Sequence, residues 1–278
     1  MPSIIIPAHN EATVIERTLR AVLEEDAPDL EIIVVVNATT DRTAEIARAL
    51  DPRITVIETT TPGKTNALNL GEKSLTSFPR IFLDADIELK PGSVRALLNA
   101  SGAGNAIVSP KPSFDLTNCT VGVRLFMYAN RFNHYFGRGA PNGSGCFVLT
   151  EEARSRWGEF PDLIADDGFV DGHFDPDESR TIEDALAIVG PPRDLESMIR
   201  VRARVRRGTF ELARLHPKLM KKLRSQVGGA VGRMMVRPWT WPALVVYTWV
   251  RIRERQIAKA QIARGETGWG RDESARVG

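Results

Sequence analysis

Along the first third of the chain, unbroken apolar runs alternate with stretches whose apolar positions recur at helical spacing. Residues 3–7, 31–36, 54–58 and 80–83 read as strands, and runs this free of polar interruption belong to a sheet covered on both faces. Between them, residues 11–25 put Val14, Ile15, Thr18, Leu19 and Val22 on one helical face, residues 40–50 do the same with Ala44, Ile46, Ala47 and Leu50, and residues 64–75 form a third helix. The alternation predicts an α/β fold built on a mostly parallel sheet flanked by helices. Beyond Asp86 the rhythm weakens. Residues 91–100 look helical, 106–109 strand-like, 120–136 helical and 146–149 strand-like; a helix or turn begins at Asp166, Ile188 and Val189 suggest a short edge strand, and a basic helix starts at Leu195.

In open α/β sheets ligands bind beyond the carboxyl ends of the strands. That rule gathers residues 7–11, 36–41, 62–64 and 84–86 into one place. Asp84 and Asp86 set two carboxylates one residue apart straight after a buried strand. Such hard oxygen ligands suit Mg²⁺ or Mn²⁺, which in turn hold a diphosphate; the plainer reading is a turn or a helix cap. Asn10 has a similar alternative, as cap of the helix that follows. Gly63 and Lys64 open another helix, where backbone N–H groups and a cation meet phosphate or ribose.

Taken together, Pro7-Ala8-His9-Asn10-Glu11, Thr40-Asp41-Arg42-Thr43, Gly63-Lys64 with Ala67-Leu68-Asn69, Asp84-Ala85-Asp86, Gly143-Ser144-Gly145 and Asp166-Asp167 stand in the order and rough spacing of family 2 glycosyltransferases. Over about residues 3–210 the chain resembles that family, which implies the GT-A fold. By the same resemblance Pro7, Ala8 and Glu11 belong to the nucleotide pocket. Asp84 faces the ribose or base side, Asp86 ligates the metal with Asp84 beside it, and Gly143 and Gly145 line the sugar and acceptor side. Asp167, with Asp166 as its neighbour, is the catalytic base of an inverting reaction, a role that suits a carboxylate because the acceptor hydroxyl becomes acidic only as it attacks; the alternative is a helix N-terminus, where acids are favoured. Arg204 and Arg207 stand where relatives carry an Arg-headed motif that reaches the diphosphate, with Arg202 and Arg206 competing for that role. Where many relatives have paired aspartates this chain has Val36-Asn37, which leaves Asn37 to meet the nucleotide base. His173 is a further candidate metal ligand.

These features predict a metal-dependent inverting glycosyltransferase using a UDP- or GDP-sugar, with an acceptor hydroxyl the motifs do not identify. A nucleotidyltransferase would want a Gly-rich phosphate loop after the first strand, and residues 7–11 do not supply one. A non-catalytic nucleotide-sugar binding protein is the other alternative.

Charge divides the chain. The net charge is only +2, yet residues 200–264 hold 17 Lys or Arg against two acids. This predicts a catalytic domain over 1–210 and a basic, aromatic-containing helical extension over 211–278. Within the extension, residues 238–250 carry Trp239, Trp241, Tyr247 and Trp249 among Leu244, Val245 and Val246, flanked by arginines. The run is too short to span a bilayer. Two readings stay open for it: a segment lying on an anionic membrane surface, or a helix packed on the domain. No nucleic-acid-binding signature accompanies the charge. Two cysteines, Cys119 and Cys146, are too few for a disulfide framework, and no signal-peptide pattern precedes Ile4-Ile5-Ile6, so the expected location is cytoplasmic, and peripheral at the inner face of the plasma membrane under the first of those two readings.

Overall fold

Ile4, Ile5 and Ile6 are fully buried on strand β1 (Ser3–Ala8). Successive strand residues face opposite sides. Ile4 and Ile6 accordingly join Leu19, Val34 and Leu83 in one core, while Ile5 joins Ile33, Val35 and Phe82 in another. The computed structural model describes residues 1–25, 29–133, 143–220 and 229–266. On either side of β1 lie, in parallel, β2 (Glu31–Asn37) and β4 (Arg80–Leu83), and β3 (Ile54–Thr59) flanks β2. With β5 (Glu88–Leu89), β6 (Ile107–Phe114), β7 (Cys146–Leu149) and β8 (Ser179–Val189) the sheet runs β3-β2-β1-β4-β7-β6-β8-β5. Among the described residues, only the pairings β4–β7, β6–β7 and β5–β8 are antiparallel.

Helices α1 (Ile15–Leu23), α2 (Thr43–Leu50) and α4 (Ser93–Gly102) cover one face of the sheet, and α3 (Lys64–Lys73) covers the other. After α5 (Val121–Asn130), the short α6 (Glu151–Arg154) and α7 (Asp166–Asp171), the chain enters α8 (Leu195–Leu215), a helix of 21 residues capped by the Asp194 carboxylate on Ser197 N. It crosses residue 210 without a break. Two more helices, α9 (Ala230–Met235) and α10 (Trp241–Ala263), complete the described chain. A third core, with Val123, Phe126, Met198, Met234, Tyr247 and Val250, joins α5, α8, α9 and α10. At its edge Glu254 of α10 is inaccessible and meets Arg202, Arg206 and Arg251 at 2.9, 2.7 and 2.9 Å. Both cysteines are buried and free.

Three expectations need correction. The strand foreseen at Ile188 and Val189 is the end of an 11-residue strand, and it lies inside the sheet, between β6 and β5. Its charged residues conceal it in sequence, because Glu183 and Asp184 fall where the β6–β8 ladder slips from Pro110↔Ile182 to Lys111↔Leu186. The strand expected to stop at Ser109 continues to Phe114 through Pro110 and Pro112, residues that normally mark a strand's end. Helix α1 starts at Ile15 rather than residue 11. Residues 12–14 form a turn, with Val14 N and Ile15 N donating to Glu11 O, and the backbone N–H groups of Asn10, Glu11 and Ala12 are engaged by Thr39 Oγ1, Thr43 Oγ1 and Asp41 Oδ2, which clasp this turn to the neighbouring loop. Of the helix expected over 120–136, α5 accounts for residues up to Asn130, and residues 134–136 lie outside the described chain.

Candidate active site

The turn after β1 is shaped by its neighbour across the sheet. Asn10 adopts a left-handed φ of 51°, which asparagine tolerates better than most residues. Its Oδ1 accepts from Thr40 N at 2.8 Å, so it bridges two loops instead of capping α1. Asp41 accepts from both Ala12 N and Thr43 N and closes the clasp. Pro7, His9 and Glu11 are thereby held at the wall of a cleft of about 370 Å³.

The floor of the cleft is the end of β4. Asp84 N donates to Gly145 O at 2.8 Å, and the Ala85 carbonyl accepts from the buried Thr18 hydroxyl at 2.8 Å. With Ala85 pinned beneath, Asp84 and Asp86 both line the cleft. Gly145 has φ +62°, and a Cβ there would lie 2.5 Å from Ile87 Cγ1 and 3.2 Å from Asp84 Oδ2. Only glycine lets β7 come this close to the acidic turn.

Lys64 starts α3 and reaches across the cleft. Its Nζ lies 2.7 Å from Asp84 Oδ1 and 2.8 Å from Asp166 Oδ2. Burial alone would lower the Lys64 pKa, but the two carboxylates outweigh it and hold the ammonium well above its ordinary value. Asp166 is buried, whereas Asp167 lines the cleft half-buried with its Oδ1 accepting from Gly168 N at 2.7 Å. Burial, then the Asp166 charge, pushes the Asp167 carboxyl up to about 6, against the pull of Lys64 and of the Gly168 N–H. The fourth wall is α8. Gly208 packs so tightly on the chain before α7 that a Cβ would sit 3.0 Å from Ala165 N, and Glu211 accepts from Ile164 N at 3.1 Å. One turn back, Arg204 lines the cleft.

Pro7, Glu11, Asn37, Lys64, Asp84, Asp86, Gly143, Gly145, Asp166, Asp167 and Arg204 therefore share one cleft. Three of the residues singled out in sequence, Ala8, Arg207 and His173, lie outside that lining. Ala8 is only 1% exposed and lies beneath the cleft, where its carbonyl accepts from Asn37 Nδ2. Asn37 lines the cleft, and its amide donates to Ala8 O and accepts from Gly63 N, which ties β1, β2 and the start of α3 together. Arg207 is buried and donates to Glu266 O at 3.2 Å, away from the cleft lining. His173 lies against the Trp157 and Phe169 rings and bonds Phe169 O, and it is not among the residues that line the cleft. The competition among arginines is resolved by partners: Arg202 and Arg206 go to Glu254. His9, placed at the site by its motif but given no role of its own, has its Nδ1 2.7 Å from Asn37 O; sequence reasoning missed Ile164 and Ala165, which bring no polar side chain that would have marked them.

Among the described residues no group of three or more His, Cys, Asp or Glu side chains forms a ready cage for a metal. The acidic turn nonetheless fits Mg²⁺ or Mn²⁺, which are held by one or two carboxylates while water and phosphate complete the shell.

The family model described as Glycosyl transferase family 2 matches residues 3–150. A stretch of 92 residues is 37% identical to 4,4'-diaponeurosporenoate glycosyltransferase of Staphylococcus haemolyticus, covering 31% of this chain and 24% of that protein. The chain spans a quarter or less of the length of the curated relatives it matches. Among solved structures, mannosyltransferase PcManGT from Pyrobaculum calidifontis, in complex with GDP-Man and Mn²⁺, aligns with a TM-score of 0.60 at 22% identity over 95% of this chain and 79% of that one. Glucosyl-3-phosphoglycerate synthase from Mycobacterium tuberculosis, in complex with Mn²⁺, UDP and glucosyl-3-phosphoglycerate, aligns with a TM-score of 0.51 at 19% identity over 77% of this chain and 79% of that one. The curled, mostly parallel sheet with its C-terminal helix is the GT-A fold of these structures.

Proposed function

The chain belongs to glycosyl transferase family 2, and from that premise we propose that it moves a sugar, with inversion, from a UDP- or GDP-sugar to an acceptor hydroxyl. One observation carries the reading: Asp84, Asp86, Asp166, Asp167, Lys64 and Arg204, drawn from four separate elements, converge on a single cleft at the carboxyl edge of the sheet. Similarity to proteins solved with GDP-Man or UDP and Mn²⁺ supports a nucleotide-sugar donor and a divalent cation.

In this reading Pro7 and Glu11 border the nucleotide, Asp84 faces its ribose or base side, and Gly143 and Gly145 leave room for the sugar and acceptor. Asp86, with Asp84, would hold Mg²⁺ or Mn²⁺. A bound divalent cation would neutralise charge building on the departing diphosphate. Arg204 faces the same diphosphate with a fork of donors suited to phosphate. Asp167 takes the proton of the acceptor hydroxyl as that oxygen bonds to the anomeric carbon. The bond from this carbon to the diphosphate breaks on the opposite side, and its electron pair leaves with the nucleotide. A carboxyl pushed up to about 6 is a better proton acceptor than an ordinary aspartate and is still ionised near neutrality. The enzyme works in the cytoplasm at the inner membrane face, on a lipid-linked or cell-envelope acceptor.

Thermal shift with a panel of nucleotide-sugars and Mn²⁺ tests the donor, because a ligand bound only by the folded state raises its stability. Asp86→Ala is expected to abolish the Mn²⁺-supported shift. Asp167→Asn is expected to keep the shift and lose transfer; full transfer by that variant would remove the base assignment.

A further inference from the structure

Helix α10 has two apolar faces. One, with Ala243, Tyr247, Val250 and Ala258, is buried against α5 and α8. On the opposite side Trp241, Val245, Trp249 and Ile252 follow one another at spacings of four, four and three residues and are 53, 68, 48 and 53% exposed. Such spacing forms a stripe along one side of a helix, here roughly 16 Å long. Met235, Val236 and Trp239, just before the helix, extend the same kind of surface at 61, 76 and 71% exposure. An uncovered apolar surface of this extent marks a partner.

Charge identifies the partner. From Gly229 to Ala263 the sole acid is Glu254, and it is inaccessible beneath three arginines. Exposed Arg253 and Arg255 border the stripe on its two sides and Lys259 continues it, so the outward surface is apolar and positive. Tryptophan beside long basic side chains matches the headgroup level of a bilayer, where rings sit at the boundary and cations meet anionic lipid. Among the described residues no helix is long and apolar enough to cross a membrane.

We propose that the outer stripe of α10, with Trp239 and the preceding turn, seats the protein flat on an anionic bilayer while the inner face stays packed on α5 and α8. The proposal deepens the membrane-side reading of the site and rests on it. Geometry also joins the seat to the chemistry, since Glu254 of α10 grips Arg202 and Arg206 on the helix that presents Arg204 to the cleft.

The test is sedimentation of the full chain with phosphatidylcholine vesicles, with and without a quarter of phosphatidylglycerol. Wild-type protein is expected to sediment with the anionic vesicles only, and the combined variant Trp241→Ser, Val245→Ser, Trp249→Ser, Ile252→Ser to lose at least about tenfold in partitioning. The variant's unfolding temperature and its Mn²⁺-dependent nucleotide shift are expected to match wild type. A missing nucleotide shift in both proteins counts against the glycosyltransferase reading and leaves the vesicle result to decide the seat. Equal partitioning of variant and wild type, or no wild-type binding, overturns the seat; so does a lipid-free dimer that the variant dissolves, which would make a second copy the occupant. Should the variant not fold, quenching of wild-type tryptophan emission by brominated lipid decides, and absence of quenching overturns the proposal.

Discussion

The Lys64 ammonium lies 2.8 Å from the Asp166 carboxylate, and the same nitrogen reaches Asp84 at 2.7 Å. One cation thus joins the acidic turn after β4 to the acids that open α7, and it lets like charges share a narrow cleft. Lys64→Met keeps the length of the side chain and removes the charge. The expected loss of stability is about 2–3 kcal/mol, below that of breaking a fully buried pair because Asp84 stays open to water. Lys64 also pulls the Asp167 pKa down, so the acidic limb of the rate profile should move to higher pH in the variant. Urea unfolding and the pH dependence of kcat/KM measure the two effects; an unmoved limb would separate Lys64 from the base.

Asp167 is raised from an ordinary 3.8 to about 6 in the folded chain. The folded state therefore holds this proton more tightly than the unfolded chain does. That contribution to stability is complete below the unfolded value and is lost as pH rises through about 6. Over the same rise the base form accumulates, so activity should climb while stability falls. Asp167→Asn is expected to flatten both trends and to lower kcat by roughly 10²–10⁴. Transfer assays and thermal unfolding between about pH 4 and 8 provide the comparison, and an acidic limb retained in the asparagine variant would point to another base.

Gly145→Ala places a methyl group 2.5 Å from Ile87 and 3.2 Å from Asp84 Oδ2, at a φ of +62°. Gly92→Ala, at φ +84° with nothing within 4 Å, carries the backbone strain without the collision. The first substitution is expected to cost about 1–3 kcal/mol and to weaken Mn²⁺-dependent donor binding. The second should lose about 1 kcal/mol and leave donor binding alone. Similar donor affinities for both variants would show that the approach of β7 to Asp84 does not matter for the site.

Glu254→Gln leaves Arg202, Arg206 and Arg251, which keep 22, 22 and 33% of their side-chain exposure, facing a neutral amide. The expected loss is about 2–3 kcal/mol, below that of breaking a fully buried group because the arginines left behind reach water. Because α8 presents Arg204, KM for the donor should rise more than kcat falls. Proteolysis within residues 229–266 would report loosening of α10, and unchanged resistance with an unchanged KM would contradict the linkage.

The strands next to the site were legible because β1, β2 and β4 are apolar at nearly every position, which happens only where both faces are covered. Helix α1 announced itself through Ile15, Thr18, Leu19 and Val22 at helical spacing. Strand β8 was hidden, since its pairing with β6 is separated by some seventy residues and slips at a point where charges interrupt its pattern. Of four closely spaced arginines, sequence spacing put all in contention; the partner Glu254, about fifty residues away, took two.

The first four strands, the acidic turn at Asp84 and Asp86 and the paired acids at Asp166 and Asp167 are written locally, in period and spacing, and a single sequence suffices to find them. Which polar groups meet is another matter. Lys64 between two acids, Asn37 spent on the backbone, His173 turned into an aromatic stack and α10 covered on one side only all depend on contacts between distant segments. Burial and charge at such points are properties of the packed chain, because a side chain's partners are fixed only once the elements that carry them have come together.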